Sequence, residues 1–142
     1  AANILAKIKK KLSKLVEILE LTQGNKEKVQ RLVQKFNPRR ISESLSSSST
    51  TSYSINKGEK IVFCIRSKTS EQKLIKFNTV MFVAIHELAH VMTISIGHTN
   101  EFWDNMRYLL KHAIKHKIYK KQDFQNKPEK YCGITITDSP LE

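Results

Sequence analysis

Residues Val80 to Trp103 read VMFVAIHELAHVMTISIGHTNEFW, and they hold three of the five histidines of this 142-residue chain on its longest apolar run. Inside the run stands His86-Glu87-Leu88-Ala89-His90. Residues four apart share one face of a helix, so the two imidazoles can grip a single metal ion while Glu87, one step from His86, stands beside the ion's open side. Two neutral imidazoles and an adjacent carboxylate are what a metal-dependent hydrolase needs at that spacing. With five His and ten Glu in the chain, the pattern arises by chance roughly once in a hundred such sequences, a false-positive rate that the surroundings lower. The preceding Asn78 and Thr79 suit a helix N-cap, and the apolar residues from Val80 to Ile85 suit a helix buried beneath a site.

Two histidines do not complete a metal site, and His98 is the third candidate. A helix running unbroken from His90 would carry His98 about 80° around the axis and about 12 Å along it, out of reach of a shared ion. The chain must therefore reverse, and Gly97, free to adopt left-handed angles, stands immediately before His98. Glu101 is the next candidate for the third position. Asn100 to Tyr119 reads as a further helix capped by Thr99 or Asn100, with Phe102, Met106, Leu109, Leu110, Ala113, Ile114 and Ile118 on its buried side. Phe102 and Trp103 would lock the His98 loop onto the core. His112 and His116 form a second pair four apart. Lys111, Lys115 and Lys117 surround them and no acid lies between, so a solvated basic face fits better than a metal site.

Upstream, Leu5, Ile8, Leu12, Leu15 and Leu19 recur at steps of three and four between Asn3 and Leu21, the pattern of an amphipathic helix. Gly24 stops it, Asn25 restarts the chain, and Val29, Leu32, Val33 and Phe36 trace a second stripe that Asn37-Pro38 ends. Arg39 to Ser54 holds a serine and threonine run with little to bury, expected to be a mobile loop. Tyr53 to Ile55 and Ile61 to Arg66 flank Asn56-Lys57-Gly58-Glu59 and read as a hairpin. The second strand, almost wholly apolar, should be covered on both faces. It serves as plain core, and could at the same time border a cleft where an extended peptide pairs. At the far end, Asn126-Lys127-Pro128 marks a turn, and Tyr131 to Asp138 suits a short strand or a wall of the cleft.

Length and composition bound the rest. The chain suits one domain with its own core. Cys64 and Cys132 lie far apart, which excludes a disulfide-stapled scaffold and a Cys-x-x-Cys site and fits a reducing, intracellular compartment. No apolar run is long enough to cross a bilayer, so the chain as given is expected to be soluble. It begins Ala1-Ala2-Asn3 without methionine, which leaves room for a removed leader or anchor. The formal net charge is +12. Residues 1 to 40 carry eleven basic and three acidic side chains, while 78 to 110 carry one and three. The positive excess therefore lies in the N-terminal helices. It suggests docking on nucleic acid or another anionic surface, with the site left free for ordinary peptide; lysines that merely keep a helix soluble would look the same.

HELAH followed by Gly-His and an aromatic pair resembles the zincin metallopeptidases, and within them the WLM and SprT-like families of DNA-associated proteases. With IVFCIRS before the helix and YCGITITDSP after it, the chain is also similar to small zincin-type proteins of large DNA viruses. The resemblance spans about Tyr53 to Pro140. It implies that His86, His90 and His98 bind Zn²⁺, that Glu87 is the general base, and that the protein is viral or virion-associated. Seven residues separate His90 from His98, against five in metzincins, and no methionine follows closely enough for a Met-turn. The chain also lacks a visible nucleic-acid-recognition motif.

The expected architecture is α+β, a minimal zincin-like fold with a small antiparallel sheet packed on the site-bearing helix. A helical hairpin (1–40), a Ser-rich mobile loop (41–52) and a catalytic core (53–142) would divide it. The expected function is zinc-dependent hydrolysis of peptide bonds in protein substrates, with a water at the fourth metal position giving up its proton to Glu87. The alternative is a basic binding module in which zinc only stabilises the fold. Asp104 or Asp138 could orient an imidazole. Tyr131 could donate to a developing oxyanion or be merely structural.

Overall fold

The computed structural model describes residues 2–43, 52–55, 60–63, 77–122, 124–131 and 134–136. Leucine- and lysine-rich sequence of good helix propensity forms α1 (Ala2–Gln23). Ile8, Leu12, Leu15 and Leu19 of its apolar stripe are fully buried. Gly24 follows the end of the helix, and only glycine fits there, since a Cβ would collide with the carbonyl oxygen of Glu20. Helix α2 (Glu27–Lys35) follows, burying Val29 and Leu32, and both helices contact the helix that carries the histidine motif. Both helices thus lie against α3 (Phe77–Met92).

The segment after it departs from a loop. A 3₁₀ turn, Pro38–Arg40, is capped by Asn37, whose side chain accepts from the Arg39 N–H, and the chain passes directly into strand β1 (Ile41–Glu43). Ile41 is buried, so one apolar residue ahead of the serine run suffices to draw this stretch onto the sheet. Residues 44–51, where the serine-rich loop was expected, lie outside the described residues.

Strands β2 (Ser52–Ile55) and β3 (Lys60–Phe63) form the expected antiparallel hairpin, with Tyr53 opposite Val62. β1 pairs with β3 in parallel, Ile41 opposite Ile61, so the three-stranded sheet is mixed rather than antiparallel throughout. Ile61, Val62 and Phe63 are all buried, so both faces of β3 are covered. Flanked by β1 and β2, β3 has no free edge over residues 61–63, as a core strand requires, while residues 64–66 of the expected strand lie outside the described residues.

Helix α3 (Phe77–Met92) begins earlier than the sequence suggests. Asn78 does not cap it: its amide donates to the Lys120 carbonyl at 2.7 Å and the Gln122 side chain at 2.6 Å, and accepts from the Lys120 N–H. Thr79 is buried within the helix. A tertiary tie to the 120–122 segment has replaced a local cap.

Helix α4 (Asn100–Lys115) is capped by Thr99, whose hydroxyl accepts from the Phe102 N–H. It buries Phe102, Met106, Leu109, Leu110 and Ala113, but stops short of Tyr119. Lys117 takes φ 60°, the Ile118 N–H bonds the Ala113 carbonyl at 2.8 Å, and the Lys117 N–H bonds the Ile114 carbonyl at 3.1 Å. This is a Schellman ending with lysine where glycine is usual, and it folds Ile118 into the core. Strands β4 (Glu129–Tyr131) and β5 (Ile134–Ile136) make a second hairpin where one strand was expected. The architecture is α+β, with α3 at its centre, and no helix among the described residues is long and apolar enough to cross a membrane.

Candidate metal centre

From Thr79 to Thr93 every residue is buried except His86 and His90, which are half-buried. A helix enclosed on all other sides thus opens at its two histidines. Glu87, between them in sequence, is 6% exposed. The chain then reverses through Thr93 to Thr99 and brings His98 back over the pair. The ring nitrogens of His86, His90 and His98 all come within 4.8 Å of one another. His86 Nε2 and His98 Nε2 are 3.2 Å apart. Tetrahedral zinc with nitrogen ligands at about 2.0–2.1 Å holds them about 3.3 Å apart, so this pair already has metal-site spacing. Among the described residues, no other group of three His, Cys, Asp or Glu converges in this way.

The donor chemistry fits as well. Burial, and after it the neighbouring His90 and His98, push the His86 imidazole down to about 3. Its ring is neutral at physiological pH, which is the form that binds a metal. Phe102, fully buried, floors the site, its ring centroid 4.9, 4.3 and 4.8 Å from those of His86, His90 and His98. Trp103 flanks His98 at 5.7 Å. The aromatic pair therefore does more than lock the loop, because Phe102 touches all three imidazoles and restricts their rotation.

Gly97 makes the reversal with φ +88°, and a Cβ placed there would meet nothing within 4 Å. The constraint is thus backbone strain alone, about 1–2 kcal/mol for a residue bearing a Cβ and more for a β-branched one. Gly97→Val is expected to weaken zinc binding measurably in a chelator-competition titration while the circular dichroism of the helices stays unchanged. Unaltered zinc affinity would mean that the reversal does not need this glycine.

Other sequence candidates fall elsewhere. Glu101 is not directed to the histidines: its carboxylate accepts from the Ile94 N–H at 3.0 Å, the Ser95 N–H at 3.0 Å and the Ser95 hydroxyl at 2.8 Å. Those bonds hold its carboxyl down at about 2. A depressed carboxyl contributes above its ordinary value near 4.5 and is lost only as pH falls through about 2. The carboxylate therefore stays an acceptor wherever the histidines can bind metal. Asp104 is exposed and pairs with Arg107 at 2.7 Å, so it orients no imidazole. Asp138 and both cysteines lie outside the described residues. Tyr131 lies in β4 by its backbone, and its side chain is outside them too.

His112 lies 4.6 Å from the Tyr108 ring, and Lys28 sits 3.9 Å over the same ring. Desolvation first, then His116, Lys115, Lys28 and Lys26, lowers the His112 pKa. The face is basic, and His112 within it is half-buried rather than fully solvated.

Comparisons with known proteins place the chain in a family. The family model of the WLM domain matches residues 1–140. An uncharacterised protein of Acanthamoeba polyphaga mimivirus is 33% identical over 146 residues, covering 100% of this chain and 74% of that protein. Uncharacterised proteins of Invertebrate iridescent virus 6 and Invertebrate iridescent virus 3 are 38% and 41% identical over 48% and 58% of the chain, which spans 38% and 50% of their lengths. A crystal structure of Wss1 from Saccharomyces cerevisiae aligns with 54% of this chain and 61% of its own at 21% identity and a TM-score of 0.46. With a match that runs through the N-terminal hairpin, the sheet and the three histidines alike, the chain belongs to the WLM domain family of zincin-like proteins, with relatives in large DNA viruses.

Proposed function

We propose that the chain is a zinc-dependent metallopeptidase that hydrolyses peptide bonds in protein substrates. The observation that carries the reading is the convergence of His86, His90 and His98 where the otherwise buried stretch from Thr79 to Thr93 opens, next to Glu87. The three imidazoles would hold the ion and leave a position open. Bound there, zinc supplies Lewis acidity that polarises a carbonyl and lowers the pKa of water. Glu87 takes the proton as the water oxygen forms its bond to the amide carbon, and returns it to the amine nitrogen as the carbon–nitrogen bond breaks.

The rim of the site supports a protein substrate over a polyanion. Ile94 and Ile96 stand 66% and 90% exposed on the loop that carries His98. They offer apolar contact to an extended chain, while residues 78 to 110 carry a small negative excess.

The test is cleavage of a loosely folded protein by the purified chain. Cleavage should stop when zinc is chelated and return when one equivalent is restored. Cleavage indifferent to chelation, or none by zinc-loaded protein, would refute the reading.

A second reading, a basic module that zinc merely stabilises, draws on the patch where Lys26 and Lys28 gather over Tyr108 beside His112. Nucleic acid is the anionic partner that would fit this patch and the basic N-terminal helices. Binding whose affinity falls steeply with salt, together with a protein side chain in the fourth metal position, would favour it.

A further inference from the structure

His98 is exposed on a loop whose own packing is slight, since Ile94, Ile96 and Gly97 are exposed as well. Conformational entropy opposes the ordering of such a link, so something must hold it if His98 is to meet the helix pair reproducibly. Polar bonds do so from both ends. At the start, the Thr93 hydroxyl donates to the Ala89 carbonyl at 2.6 Å and accepts from the buried Asn105 amide at 2.9 Å. Arg31, from the N-terminal hairpin, donates to the Met92 carbonyl at 2.6 Å. In the middle, the two oxygens of Glu101 divide the work: Oε2 accepts from the Ile94 N–H, and Oε1 from the Ser95 N–H and hydroxyl. The Ser95 and Thr99 hydroxyls lie 2.6 Å apart and tie the end of the loop to the cap of α4.

Glu101 stands in the first turn of α4, where an acid would favour the helix dipole anyway. Its geometry goes further than that. Thr99 already caps the helix, and the Glu101 carboxylate is directed back onto the loop. Charge-assisted bonds of this kind are roughly twice as strong as neutral ones.

We propose that Glu101 is a positioning residue for His98: by clamping the Ile94 and Ser95 backbone it sets metal affinity without touching the metal. The inference rests on the three-histidine reading. Through Arg31, whose charge also favours the Glu101 carboxylate, the N-terminal hairpin joins the same device.

The experiment compares wild type, Glu101→Gln and His98→Ala by zinc competition titration and by the absorption of the cobalt-substituted protein, which reports coordination. In Glu101→Gln one carboxylate oxygen becomes an amide donor facing a backbone or hydroxyl donor. Zinc affinity should fall about 10- to 100-fold, the range for groups that orient a ligand, and the cobalt spectrum should shift toward that of His98→Ala.

Wild-type affinity in Glu101→Gln would overturn the proposal. So would a loss of affinity with an unchanged cobalt spectrum, since that would mark a merely structural role. Ser95→Ala removes the hydroxyl's bonds to Glu101 and Thr99 but leaves both backbone N–H bonds to Glu101 in place, and it keeps the question answerable if Glu101→Gln fails to fold. It should cost about 5- to 30-fold, the worth of one to two hydrogen bonds, with the same spectral shift, and no change there would also overturn the proposal. If His98→Ala binds zinc as wild type does, it is the three-histidine reading that has failed, not the clamp.

Discussion

Glu87→Gln is expected to lower the rate of peptide cleavage by about 10²- to 10⁴-fold, the usual worth of a positioned general base, while zinc content stays at one ion per chain. The amide is nearly isosteric with the carboxylate, so the buried position, 6% exposed, is not overpacked. What is lost is the capacity to take a proton from water and hand it on. Because Glu87 lies outside the group of histidines whose nitrogens converge, metal affinity should change little. Turnover of a loosely folded protein, measured beside zinc content and a thermal melt, separates these outcomes. Undiminished cleavage in a folded, zinc-loaded Glu87→Gln protein would remove Glu87 from the chemistry.

His98→Ala should act on the metal first and on the fold hardly at all. His98 is exposed, and surface substitutions away from special features usually stay within about 0.5 kcal/mol, so the metal-free proteins should melt together. His86 and His90 remain on α3, but a ligand pair binds far more weakly than a ligand triad. A loss of more than about 100-fold in zinc affinity is expected, beyond the range for groups that only orient a ligand. The consequence is visible in stability. Zinc at 100 times the dissociation constant stabilises a protein by about 2.7 kcal/mol, and a 100-fold weaker site leaves only about 0.4 kcal/mol of that. The zinc-induced rise in melting temperature should therefore nearly vanish in His98→Ala. A full rise in that variant would point to a different third ligand.

The parts of this molecule that were legible in sequence are those that obey a local period. The stripes of α1 and α2, the hairpin of β2 and β3, and the four-residue step from His86 to His90 all follow from spacing. His98 was found by exclusion, because no straight helix could bring it back and Gly97 allowed the turn. Phe102 was seen as a core aromatic, yet its position under all three imidazoles depends on how α4 lies across α3. Glu101, a candidate ligand by sequence, turns its carboxylate to the Ile94 and Ser95 donors instead. Its partners are main-chain N–H groups, which leave no trace in side-chain identity.

The same reason hides Arg31, which reaches a carbonyl 61 residues away. Asn78 is spent on a bond across 42 residues. α4 ends early because Lys117 accepts a left-handed angle that sequence reasoning assigns to glycine. β1 was missed because three residues joining a sheet in parallel carry no alternating pattern long enough to register. Each miss is a long-range or main-chain interaction outweighing a local preference.

Whether three histidines hold a zinc ion whose remaining position is open to water is decided by X-ray absorption at the zinc edge of the purified, metal-loaded chain. One zinc per chain is expected, with three nitrogen neighbours at about 2.0–2.1 Å and one oxygen from solvent. An absence of stoichiometric zinc, or a shell completed by a fourth protein ligand, would rule the three-histidine site out.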